Sequence, residues 1–202
     1  MKKTWILLLV VFLSVYIYAS FSGPVAQDDV INETLPLALE YNKTKEHDTR
    51  DIPIKGKIIC CPLSFPDFED FIYEPPSNPQ HNKPDPELPE SIRSKFGDSI
   101  PSELRAPPTF DNNTNITILF YTAERDYVDS WSTGSKVVLG YKLRVNVIVV
   151  YWPEKKVGGW ASFSGDEPPD VYSAGISVPD AIYDDFPSDK IEKWIRSHYV
   201  SG

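Results

Sequence analysis

Cysteine, histidine and methionine are scarce here: the 202 residues include two cysteines, three histidines and one methionine. Cys60 and Cys61 have no further Cys or His at ligand spacing, so they do not make a zinc site. As sequence neighbours they are also a poor disulfide, which would need a strained ring and a distorted peptide. On a strand they point to opposite faces, which predicts one buried thiol and one at the surface. His47, His81 and His198 lie in a polar stretch, a proline-rich loop and the last helix, apart from any nucleophile motif. No G-x-S-x-G, H-E-x-x-H or glycine-rich phosphate loop occurs. The Ser132–Lys136 stretch faintly resembles the tail of a phosphate loop, but it lacks the upstream glycine and reads as a hairpin turn.

Basic residues are scarce as well. Twenty Lys and Arg face 29 Asp and Glu, for a net charge of −9. No basic run occurs outside Lys2-Lys3, which excludes nucleic acid as a partner, since a phosphate backbone rewards a basic patch. The sequence therefore assigns no catalytic, cofactor-binding or metal-ligating residue and reads against an enzyme.

What is present begins with Lys2 and Lys3 and an uncharged apolar run from Thr4 to Phe21. The lysines stay cytoplasmic and everything after about residue 25 is carried across a membrane. A signal core spans roughly 7–15 residues and a membrane span roughly 17–25, so residues 1–25 are a signal peptide or a membrane anchor. Small-residue cleavage sites end at Ala19, Ser22 or Ala26, none a clean A-x-A. Tyr16, Tyr18 and Phe21 suit the interfacial end of a span, and the reading leans to a retained anchor.

Residues 26–55 are polar, with Leu35, Leu37 and Leu39 around Pro36, and read as a linker between membrane and domain. Residues 56–202 read as a single α+β domain with a proline-rich insertion at 62–108. The first strand is Gly56 to Cys61, stopped by Pro62. Within the insertion, a helix from Pro89 to Phe96 with Gly97 as its left-handed stop and a turn at Pro101–Arg105 are expected. Phe65, Phe68 and Phe71 pin its first part to the domain surface.

The sheet carries the clearest signal. Asn115 to Tyr121 is β-branched and aromatic and continues toward Trp131. In the strand from Lys136 to Trp152, Tyr141, Leu143, Val145, Val147, Val149 and Tyr151 alternate on one face. The other face starts polar at Lys142, Arg144 and Asn146 and turns apolar at Ile148, Val150 and Trp152. A turn at Pro153–Lys156 and a strand from Val157 to Ser164 complete an antiparallel meander of three to four strands. Packed against it is a C-terminal helix from about Pro187 to Tyr199, with Ile191, Trp194, Ile195 and Tyr199 in one stripe.

Other features have plain readings. Asp166, Glu167 and Asp170, and Asp180, Asp184, Asp185 and Asp189, lack the bend-forming glycine of a calcium loop and read as solvated. Glu124 and Asp126 pair most simply with Lys142 and Arg144 across the hairpin; as hydrolytic carboxylates one would need an apolar pocket. Trp131, Trp152 and Trp160 could form a glycan-stacking platform, but at least two read as core. Sequons stand at Asn32, Asn42, Asn112 and Asn115.

Ile100 to Ala106, the strand from Gly140 to Pro153, the F-x-G-x-E-P-P segment Phe163–Pro169, and Ile191 with Trp194 and Ile195 together resemble a group of uncharacterised exported bacterial proteins. The likeness covers roughly residues 56–199, with a longer segment here between that motif and the helix. It implies a bacterial envelope location and a small domain, and brings no functional residues. The expected role is a non-catalytic extracytoplasmic domain that binds or supports an envelope protein; the alternatives are a glycan-binding module or a hydrolase with an unrecognised carboxylate site.

Overall fold

The alternating pattern of the longest strands organises the structure. The computed structural model describes residues 23–44, 51–63, 95–133, 136–166, 181–183 and 185–201. The apolar run 4–21, the aromatics of the insertion, the turn at 134–135 and the acidic residues 167–180 lie outside the described residues. Among the described residues no helix is long and apolar enough to cross a membrane.

Strands β1 (Pro24–Ala26), β2 (Ile54–Lys55), β3 (Lys57–Pro62), β4 (Thr109–Asp111), β5 (Ile116–Thr133), β6 (Lys136–Trp152), β7 (Lys156–Ser164), β8 (Ala181–Tyr183) and β9 (Tyr199–Val200) alternate with helices α1 (Gln27–Lys43) and α2 (Ser188–His198). The principal sheet has the order β3-β5-β6-β7, with β8 beside β6. β5, β6 and β7 pair antiparallel as their turns predict. β3 and β8 pair parallel to their neighbours, so the sheet is mixed and the fold is a mixed α/β one, mostly strands, with a C-terminal helix. A parallel pair needs a long crossover, and the proline-rich insertion between β3 and β5 is that crossover.

One face of the sheet holds Leu119, Tyr121, Leu143, Val145, Val147, Val149 and Tyr151, closed by Ile191 and Ile195 of α2 and by Phe96, Ile100 and Leu104. Phe96 stacks on Tyr121 with ring centroids 3.9 Å apart. The helical turn at 95–98 runs through Gly97 rather than ending there, and Ser102–Leu104 forms the expected further turn. Trp194 meets Phe163 edge-on at 5.2 Å. Tyr199 departs from the expected stripe: the helix ends at His198, and Tyr199 enters β9, parallel to β2.

The other face corrects the sequence reading most. The supposed linker 26–55 contains α1, whose Val30, Thr34 and Ala38 are fully buried against Ile118, Phe120, Ile148, Val150 and Trp152. These positions are spaced i, i+4, i+8, the helical repeat. The stripe was hidden because its centre is the polar Thr34 and because Pro36 interrupts it. Thr34 satisfies itself, its hydroxyl donating to the Val30 carbonyl at 2.6 Å. Pro36 sits on the exposed side, where the carbonyl deprived of its partner meets solvent. Asp28 and Asp29 stand in the first turn and Lys43 in the last, as the helix dipole favours. Among the described residues the folded unit thus reaches back to Pro24 rather than starting at residue 56.

Backbone fit is tight at the base of the sheet. Gly56 has φ +64°, and a Cβ there would lie 1.9 Å from the Asn115 carbonyl oxygen, so no side chain fits. Buried Thr117 accepts from the Lys55 N–H at 2.9 Å and donates to its carbonyl at 2.8 Å, serving as a strand partner for β2.

Candidate functional site

Beyond the reach of α1, the second face becomes a polar row across three strands. Register places Thr122 opposite Asn146, Glu124 opposite Arg144 and Asp126 opposite Lys142. The Ser162 hydroxyl donates to Asn146 Oδ1 at 2.8 Å, and Asn146 Nδ2 donates to Glu124 Oε1 at 3.1 Å. Arg144 bonds diagonally to Asp126, with Nη2 2.5 Å from Oδ2. Burial holds the Glu124 carboxyl above its usual range, reinforced by the Asp126 charge and opposed by Arg144 and by the Asn146 bond. The paired carboxylates noted in the sequence are thus brought together. Asp126 and Arg144 are paired as expected, whereas Lys142 is not the partner of Glu124. Chemically the row can fix the hairpin register and present an ordered polar strip.

The other candidates separate. Trp152 is buried in the core under α1 and Trp160, partly buried, packs against that core, while the Trp131 side chain lies outside the described residues. Cys60 borders the first core and Cys61 the second, each partly buried. The expected contrast of one buried and one surface thiol survives at the sulfurs: the Cys60 thiol is desolvated, and the Cys61 thiol donates to the Pro62 carbonyl in an exposed bond. Desolvation pushes the Cys60 thiol up to about 12, against the lowering influence of Arg105, so it stays protonated at neutral pH and is a poor nucleophile. Asp166 is tied to Lys190 at 2.8 Å, which holds its carboxyl below the usual range. His198 Nδ1 lies 2.9 Å from the Trp194 carbonyl, on its own helix. Among the described residues no three His, Cys, Asp or Glu side chains converge on a metal position. A shallow, open depression of about 520 Å³ lies along α2, lined by Asp189, Glu192, Lys193, Arg196 and Ser197. Its arginine is already bonded to Glu192 and Glu103.

One contact had no signal in the sequence. The Tyr151 hydroxyl donates to the Pro53 carbonyl at 2.8 Å, and burial, with the Glu154 charge, pushes its pKa up to about 12. The ring lies over Gly158, at a register shift between β6 and β7, where a Cβ would come within 2.5 Å of it.

The class defined here is a mixed-sheet α/β domain with helices on both faces. Comparison with family models, curated proteins and solved structures finds no match.

Proposed function

We propose that the chain is an extracytoplasmic domain, held to the membrane by residues 4–21, with a non-catalytic binding or structural role at the cell envelope. The observation that carries this reading is that the chain from Pro24 onward is already part of the fold. Only Ser22 and Gly23 separate it from the apolar run, at most about 7 Å of extended chain. A domain joined so closely to a spanning segment works at the bilayer, not at the end of a tether. The resemblance to exported bacterial proteins agrees with an envelope location.

The surface offered to that partner is the distal part of the β5–β6 hairpin. β5 has 18 residues, about 55–60 Å of strand. Pro24 pairs with Asp111, just before the start of β5, so the attachment lies at the end of the sheet opposite the hairpin turn. Val128 and Val137 are exposed toward that turn, at 39% and 58%, with the polar row between them and the base. A glycan platform would need an exposed aromatic row; of its three tryptophans Trp152 is core and Trp160 is partly covered against the core.

The test is to express the full chain in a bacterial host, extract membranes at alkaline pH and cross-link through a probe at position 137. Retention in the extracted membrane and one recurrent cross-linked envelope protein are expected. A protein found wholly in the soluble extracytoplasmic fraction would overturn the anchor, and cross-links no different from those of a probe on Lys193 would overturn the binding surface.

A further inference from the structure

The three residues after Gly23 form part of the folded domain. Pro24, Val25 and Ala26 pair with Asp111, Phe110 and Thr109, and Val25 packs against the core beneath α1. Ala26 is extended, at φ −82° and ψ 150°, and is the residue from which α1 starts. The next residue is held three times: the Gln27 N–H donates to the Pro108 carbonyl at 3.1 Å, and its side-chain Nε2 donates to the Ala106 and Pro107 carbonyls at 2.9 Å each. The segment it grips is the part of the crossover that leads into β4 and β5.

The sequence offers a small-residue cleavage position after Ala26, and that bond lies inside this clamp. Cutting it would remove β1, leave β4 without its described strand partner, and turn Gln27 into a chain terminus. Its new ammonium would then stand at the positive end of α1, where a cation is disfavoured, and would replace the amide that bonds Pro108.

We infer that the maturation boundary of this protein lies at or before Pro24, so that β1 stays on the exported chain whether the apolar run is retained or removed. This rests on the reading of residues 4–21 as an export or anchor segment, but not on that segment being kept. Of the three cleavage positions in the sequence, the fold accepts those after Ala19 and Ser22 and rejects the one after Ala26.

The experiment is N-terminal sequencing with intact-mass measurement of the full chain after export in a bacterial host, on both membrane and soluble extracytoplasmic fractions. The expected result is a chain that begins at Pro24 or earlier. A start at Met1 supports both this inference and the anchor; a start at Ser20 or Gly23 supports this inference while overturning the anchor. An accumulated, folded chain that begins after Pro24, at Gln27 above all, overturns it.

Discussion

On one face of the sheet Leu143, Val145, Val147 and Val149 run in unbroken alternation under α2 and residues 95–104; on the other, the apolar side chains stop at Phe120 and Ile148 and give way to Asn146, Glu124 and Arg144. The difference follows from what covers each. The first face is closed by several pieces of chain, which together reach from Ala123 to Tyr151. The second is closed mainly by one helix of 17 residues, about 26 Å long, and the pattern turns polar where that cover ends. A strand records in its sequence how much cover each of its faces has.

The sharpest way to break this comparison is Val30→Asp, which places a carboxylate in the centre of α1's buried stripe. A loss of about 4 kcal/mol in stability is expected, with new binding of an apolar dye to the uncovered face. Chemical denaturation that finds the variant as stable as the parent would return residues 26–55 to the role of a linker. On the first face, Gly158→Ala forces the Tyr151 ring from its place and breaks its bond to Pro53, for a loss of about 1–3 kcal/mol. The ring's displacement should appear in the near-ultraviolet circular dichroism; unchanged spectra and stability would mean that the bulge has room.

Smaller effects belong to the polar half of the second face. A carboxyl whose folded pKa is raised binds protons more readily folded than unfolded. Glu124 therefore contributes stability at acid pH that is lost as pH rises through its raised folded value. Glu124→Gln removes that slope, so the pH profile of stability should flatten across and just above the ordinary glutamate range; a profile identical to the parent's would mean that the carboxyl is well solvated. Arg144→Ala breaks an ion pair whose members are 44% and 35% exposed, and under about 1 kcal/mol is expected, further reduced by salt. A cost equal to that of Gly158→Ala would make the polar row as important to the fold as the core.

Much of the sheet was legible because period-two alternation over β5, β6 and β7 is set by local sequence. Ile191 and Ile195 declared α2 by the same logic at helical period. The change of Ile148, Val150 and Trp152 to apolar on the second face was also legible, and it called for a covering element there. That element has no plain signature in the sequence, because Thr34 and Pro36 break the apolar repeat of α1 and its partners lie far along the chain. The parallel pairing of β3 was hidden for a related reason, since register across a long crossover is fixed by tertiary contacts. At the polar row the residue types and the pairing of Asp126 with Arg144 could be read from the hairpin. The burial of Glu124 and the Tyr151–Pro53 bond could not, since each depends on a remote segment.

The parallel placement of β3 beside β5, with α1 across the sheet, also sets an order of assembly. β5, β6 and β7 meet through short turns and can form at once, whereas α1 and β3 leave the ribosome first and must wait for strands made much later. Pulse-labelled hydrogen exchange should find the β5–β6 amides protected before those of β3; simultaneous protection would contradict this order. Until then the apolar side of α1 stands open. An early-made part of the fold is thus among the last to be enclosed, and that interval is when the chain is most exposed to proteases and to aggregation.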